Sequence, residues 1–230
     1  MVAFYDRTTN LLRHAFDARI AGSPILVMEE KFAHGRRFIG ACDAIQSEAR
    51  AIAERIERVP RFHELMPEQA DVSANDNRDW RMFILKAYGI SVPENLARCP
   101  ILSQLLADTP EVLSAAFSFL APHKHIPPHR GPFRGIMRFH LILKMPLAPD
   151  GRPAAVLTID GKPHRMHEGA YLLWDDTYLH EVLNDSDEVR IALLLDVWRP
   201  GMPLDMRLLS HSVVTFVRAA MRVRGVSYTG

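Results

Sequence analysis

The chain has 230 residues, with 28 Lys and Arg against 27 Asp and Glu, and 48% of it is hydrophobic. That is the composition of a globular chain with a full core, and a net charge of +1 gives no general electrostatic reason for a nucleic-acid partner. The two cysteines, Cys42 and Cys99, are too few for a disulfide framework or a multi-cysteine zinc site; residues 1–31 lack a signal-peptide run, and no stretch approaches the roughly 18 apolar residues of a membrane span.

Segment 43–58 spaces Ile45, Ala49, Ile52 and Ile56 three and four residues apart among Ala, Glu and Arg, which predicts a helix ended by Pro60. Residues 64–79 are polar, carry Asn75, Asp76 and Asn77 in succession, and read as a loop. Residues 80–88 are apolar and aromatic and read as a strand, and 94–110 read as one short helix. From about residue 112 the pattern changes to short β-type runs at 114–120, 135–145, 154–159, 170–174 and 189–198. The breaks carry Pro127-Pro128, Pro149-Asp150-Gly151, Asp160-Gly161 and Asn184-Asp185-Ser186-Asp187. Strands at this spacing, with no helical period between them, predict an all-β sandwich or barrel rather than a parallel sheet. The tail 207–224 reads as a helix. Leu208, Val213, Phe216 and Val217 can share its apolar face, and Arg207, Arg218, Arg222 and Arg224 face no acidic residue. It is either a packing helix with a solvated basic side or a surface for anionic lipid or a partner.

Eleven histidines is a high count, and four fall within 123–140. His123 and His125 read as loop residues. His129 sits in a rigid corner between Pro127-Pro128 and Gly131-Pro132, where fixed placement favours a metal ligand. His180 follows a strand. Arg190 opens an apolar strand, and a guanidinium there is costly to desolvate unless it meets an anion. Arg138 and His140 share one strand face, opposite Met137, Phe139 and Leu141. Taken singly, each of these residues is as readily structural. Taken together, two histidines and a distal arginine fit a non-haem iron centre with a dicarboxylate co-substrate.

These residues lie in three ordered stretches. The first is Ser118…His125-Ile-Pro-Pro-His129-Arg-Gly131-Pro132, and the second is Met137-Arg138-Phe139-His140-Leu141. The third is Asp175-Asp176-Thr177…His180-Glu181-Val182…Arg190…Asp196-Val197-Trp198-Arg-Pro200. Over about 80–200 the chain resembles the aspartyl/asparaginyl β-hydroxylase family of Fe(II)- and 2-oxoglutarate-dependent dioxygenases. Residues 80–88 are also similar to the bacterial branch that acts on acyl chains of lipid A or ornithine lipids.

The resemblance implies a mainly β fold, a double-stranded β-helix (jelly roll, cupin-like), over 111–200. A helical N-terminal region, 1–110, would pack on it, and a C-terminal helical extension would occupy 201–230. It implies His129 and His180 as catalytic Fe(II) ligands. Arg190 would pair with the far carboxylate of 2-oxoglutarate, and Ser118, Arg138 and His140 would complete that pocket. O2 and 2-oxoglutarate would be co-substrates, with a peptidyl Asp or Asn, an acyl chain or a small metabolite hydroxylated. Many such oxygenases carry a carboxylate two residues after the first histidine. Here that position is Gly131, as in the aspartyl/asparaginyl branch, whereas lipid-acting relatives often carry Asp. The alternative is a non-catalytic cupin-like or membrane-surface module with a degenerate metal site. The expected location is the cytoplasm, with peripheral membrane contact through 207–224.

Overall fold

The computed structural model describes residues 2–224, and side-chain surroundings for residues 7–222. Residue 1, residues 225–230 and the Arg224 side chain, assigned above to the basic helix face, lie outside the described residues. The strands are β1 (Ile25–Leu26), β2 (Trp80–Ala87), β3 (Ile90–Ser91), β4 (Val112–Leu120), β5 (His125–His129) and β6 (Ile136–Lys144). They continue with β7 (Ala155–Ile159), β8 (Lys162–His164), β9 (Tyr171–Trp174), β10 (His180–Asn184) and β11 (Arg190–Trp198). The larger sheet has the order β1-β9-β6-β11-β4-β2-β3 and the smaller β5-β10-β7-β8. Every pairing is antiparallel. From β4 onward the chain passes back and forth between them, with β4, β6, β9 and β11 in one and β5, β7, β8 and β10 in the other. That interleaving is a jelly roll, a double-stranded β-helix.

Strand alternation sorts the side chains of the larger sheet onto two faces. Phe117, Phe119, Phe139, Leu141, Leu193 and Leu195 point outward into a buried cluster with Phe38, Ile45, Ile52 and Leu102. Those partners lie on helices α1 (Gly35–Gly40), α2 (Cys42–Ala53) and α3 (Pro100–Ala107), which roof the sheet. The other face meets the smaller sheet through Trp80, Met82, Ala116, Ile126, Leu157, Trp174 and Val182. Helix α4 (Leu204–Arg224) closes one end, with Met206 and Val214 against Phe16, Leu113, Phe133 and Ile136.

The region before residue 111 is not purely helical: β2 is a full strand of the larger sheet, paired to β4 from Trp80 to Lys86. The helix expected over 94–110 is two, Pro93–Ala97 and α3. Pro100 has no N–H to donate and excludes helical geometry at Cys99, which sits at φ −133°, ψ 67°. The stretch 64–79 is only partly loop. A turn of helix at Phe62–Leu65 and a 3-10 segment at Pro67–Val72 bury Leu65 and Val72 under Trp80. Strands β5 and β10 escaped the sequence pattern. β5 carries two prolines, which it tolerates because it is an edge strand. His125 opens it and pairs with Glu181 at 2.8 Å, so it is not a loop residue.

One buried cation holds the 64–79 stretch to β5. Lys124 is 0% exposed and its ammonium donates to Ser73 O (2.7 Å), Asn75 Oδ1 (2.7 Å) and Asp76 Oδ1 (2.6 Å). Burial alone would raise the Asp76 carboxyl, but hydrogen bonds from Lys124 and the Arg78 amide hold it below its ordinary value. Its contribution is therefore complete above about pH 4 and is lost as acid takes the pH down through the folded value. Replacing Lys124 by Met should lower the unfolding free energy by about 2–3 kcal/mol at pH 7. In urea titrations the gap between the two proteins should narrow below about pH 4.

Candidate active site

His129 ends β5, His180 begins β10, and the two face each other directly in the antiparallel register. Their ring centroids are 4.1 Å apart at 56°. Each ring is oriented by a carbonyl two residues before it: His129 Nδ1 bonds Pro127 O at 2.8 Å, and His180 Nδ1 bonds Tyr178 O at 2.9 Å. A carbonyl only accepts, so Nδ1 carries the proton in both rings and Nε2 keeps its lone pair. Burial lowers the pKa of both, more so for His180, where His129 adds to the effect. Both are thus neutral imidazoles, the form that binds a metal. The edge of Trp174 fixes His180 further, with centroids 4.7 Å apart.

Gly131 donates its amide to Asp176 O at 2.6 Å, and a side chain at position 131 would run into the Asp176 carboxylate. The space that a carboxylate two residues after His129 would fill is therefore taken by a carboxylate from elsewhere in the chain. Burial pushes the Asp176 carboxyl up to about 6, with Arg138 opposing, and its Oδ1 has no hydrogen-bond partner. Arg138 bridges Asp176 (3.2 Å) and Asp196 (2.9 Å), the residue opposite it on β11. Burial works against the Arg138 charge, and the two carboxylates more than offset that.

Further inside the sandwich, on the inward faces of β6 and β11, lie His140 and Arg190. Both border one recess with Ile142, Leu157, Met166 and Val182. Arg190 is 3% exposed, has no carboxylate partner among the described residues, and leaves Nη1 without a hydrogen bond. Burial alone pulls its pKa down to about 10. Neither ring nitrogen of His140 has a partner, and burial followed by Arg190 lowers its pKa far enough to keep it neutral. Ser118, opposite Ala192, accepts from Trp80 Nε1 at 3.0 Å, and its own proton stays free to donate. Trp80 is held in turn by stacking on Phe62 at 4.0 Å.

The structure thus brings His129 and His180 together at one end. It places His140 and Arg190 together deeper in, sets Ser118 on the adjacent strand, and engages Arg138 in carboxylate pairs. Sequence reasoning missed Asp196, Trp174 and the place of Asp176. It also missed a buried network in which Asp175 accepts from Arg199 (2.5 Å), Thr177 Oγ1 (2.6 Å) and Arg134 (3.0 Å). That network sets the 175–179 turn that carries Asp176 and the Tyr178 carbonyl. Its only sequence trace is the run of polar residues Asp175-Asp176-Thr177 between apolar strands. Among the described residues no group of three or more His, Cys, Asp or Glu side chains forms a metal cage.

Fold and site define a double-stranded β-helix protein with a two-imidazole centre and a buried cation that has no carboxylate partner among the described residues. The chain belongs to the aspartyl/asparaginyl β-hydroxylase family, whose pattern matches residues 41–200. It is 31% identical over 157 residues to the ornithine lipid ester-linked acyl 2-hydroxylase of Rhizobium tropici, covering 68% of this chain and 54% of that one. To the human aspartyl/asparaginyl beta-hydroxylase it is 27% identical over 142 residues, covering 60% of this chain and 18% of that one. It thus spans about half of the first relative's length and less of the second's. A partial overlay relates it to a predicted oxalate decarboxylase from Thermotoga maritima, with 18% identity, coverage of 40% of this chain and 71% of that one, and a TM-score of 0.31.

The Gly131–Asp176 contact gives a direct test. Gly131→Ala should cost about 1–3 kcal/mol of stability, because the new methyl must displace a buried carboxylate pinned by Arg138. In an Asp176→Gly background the same substitution should cost much less. A double-mutant cycle by urea unfolding reads the coupling directly.

Proposed function

We propose that this protein is an Fe(II)- and 2-oxoglutarate-dependent hydroxylase acting on an unactivated C–H bond of a lipid acyl chain. The observation that carries this reading is Arg190, a guanidinium buried without a counter-ion beneath a pair of neutral imidazoles. A cation desolvated that far is tolerable where an anion completes it, and a carboxylate matches its planar fork. The donor set fits iron. His129 and His180 would hold it through Nε2, with the tautomers fixed by Pro127 and Tyr178. Iron(II) with 2-oxoglutarate and O2 supplies the oxidising power, converting R–H to R–OH with succinate and CO2 as the other products.

The chain's own contribution is placement and shielding. Arg190 would take the far carboxylate of 2-oxoglutarate, with Ser118 and His140 as hydrogen-bonding neighbours. Arg138, already shared by two carboxylates, would hold Asp176 beside the metal-side end of the pocket. Apolar walls from Ile142, Leu157 and Val182 would keep bulk water from the co-substrate. His140, neutral at pH 7, would donate or accept without adding charge.

The acyl-chain reading draws on the likeness to the ornithine lipid hydroxylase and on the outer face of α4. There Leu204, Leu208 and Phe216 are 61%, 58% and 74% exposed beside Arg207 and Arg222, a pattern suited to an anionic membrane surface. No helix among the described residues is long and apolar enough to cross a membrane. A peptidyl Asp or Asn is the second reading, favoured by Gly131. A degenerate, non-catalytic module gives no reason for the neutral imidazole pair or for the uncompensated Arg190.

Turnover of 2-oxoglutarate to succinate, measured against panels of acyl lipids and of Asp- and Asn-containing peptides, tests this. His129→Ala and His180→Ala should abolish iron retention and turnover. Arg190→Ala should retain iron but need roughly a hundredfold to a thousandfold more 2-oxoglutarate, from about 3–5 kcal/mol for a buried charge left unpaired. Full activity in both histidine variants would refute the assignment, and stimulation by peptides alone would select the second reading.

A further inference from the structure

Outside the sandwich a second recess opens between the β2–β3 hairpin, helix α3 and helix α4. Its volume is about 420 Å³, within the range of about 300–1,000 Å³ common for small-molecule sites. Its floor is apolar, formed by Leu96, Leu106, Val112 and Trp198. Two cations, Lys86 and Arg218, stand on its wall.

Arg218 is held there by the backbone. The hairpin bends through Tyr88 (φ 48°) and Gly89 (φ 84°). Arg218 Nε donates to the Tyr88 carbonyl, and its guanidinium rests on Gly89, where any side chain would collide with it. Lys86 projects from β2 beside it. Among the described residues neither has a carboxylate at ion-pairing distance, and Arg218 adds to burial in lowering the Lys86 pKa. Glu111 opposes that more weakly and is itself paired with His34. Two like charges thus share the wall of one recess, and among the described residues neither is ion-paired. The repulsion is relieved by an anionic ligand, and the floor adds affinity only for a ligand with a hydrocarbon portion.

We propose that this recess binds a long-chain amphiphilic anion, with its acidic head between Lys86 and Arg218 and its chain along Leu96, Leu106, Val112 and Trp198. The site is separate from the pocket of His140 and Arg190 and does not depend on the chemistry there. The ligand class is a fatty acid or an alkyl phosphate; a free inorganic anion would share the head contacts but not the floor.

The test uses the full chain without added metal, titrated calorimetrically with palmitate, with dodecyl phosphate and with inorganic phosphate. The expected result is one saturable site for at least one amphiphile, with inorganic phosphate at least about a hundredfold weaker. Palmitate alone or dodecyl phosphate alone would identify the head group. Lys86→Glu should weaken binding about tenfold to a hundredfold, by replacing one attraction with a repulsion. Lys86→Gln should weaken it less and gives the same answer should the reversed charge disturb the hairpin. Ser103→Trp, which fills the trough from α3, should weaken it comparably, whereas Arg190→Ala should leave it unchanged. The proposal is overturned if neither amphiphile saturates, if inorganic phosphate binds as tightly, if the Lys86 and Ser103 variants bind like the parent, or if Arg190→Ala removes the site.

Discussion

The register between β5 and β10 is the constraint on which the rest of the site depends. His129 and His180 are direct cross-strand partners, and the irregularity that follows, between His180 and Val182, shifts the pairing by one residue. Side chains alternate along a strand, so a slip of one position would turn His180 out of the sandwich and separate the two rings. The register is secured from several sides. Val182 and Ile126 bury themselves in the inner core, β7 pairs along the other edge of β10, and Lys124 pins the loop that leads into β5. Bonds from the two Nδ1 atoms to Pro127 and Tyr178 then fix each ring, so the Nε2 atoms are presented before any ligand arrives.

Around this pair the chain distributes buried charge unevenly. Asp175 compensates Arg134 and Arg199, and Asp176 and Asp196 compensate Arg138. These pairs hold the 175–179 turn and brace β6 against β11. Arg190 alone among these arginines is left to burial without a carboxylate. A stability argument explains the first set and fails for Arg190, whose desolvation is uncompensated. On the proposed function, the asymmetry separates positioning charges from one that would receive the co-substrate. Gly131 belongs to the same logic, since its missing side chain admits the Asp176 carboxylate into the space beside His129.

Much of the jelly roll was legible because its central strands alternate or run apolar for five to nine residues between turn signals, as β4, β6, β7 and β11 do. β5 was hidden by Pro127 and Pro128, and β10 by its polar residues His180, Glu181 and Asn184. Both are strands because of what they pair with rather than what they contain. The splitting of the 94–110 helix is carried by a visible residue, Pro100, which bars helical geometry at Cys99. The histidines, His140, Ser118 and Arg190 were recognisable as a set from ordered motifs, and whether they converge is a tertiary fact. The carboxylates of Asp176 and Asp196 were not recognisable as partners of Arg138, because their contacts span 38 and 58 residues and no local period encodes them.

The central claim is that Arg190 is kept without a counter-ion in order to receive the far carboxylate of a dicarboxylate. Calorimetric titration of the iron-loaded protein without O2 tests it most directly, comparing 2-oxoglutarate with 2-oxobutyrate, which has the same keto acid end and no second carboxylate. The account predicts that 2-oxoglutarate binds at least about a hundredfold more tightly, and that the difference collapses in Arg190→Met. Equal affinities in the parent protein, or a preference that survives in Arg190→Met, would contradict it.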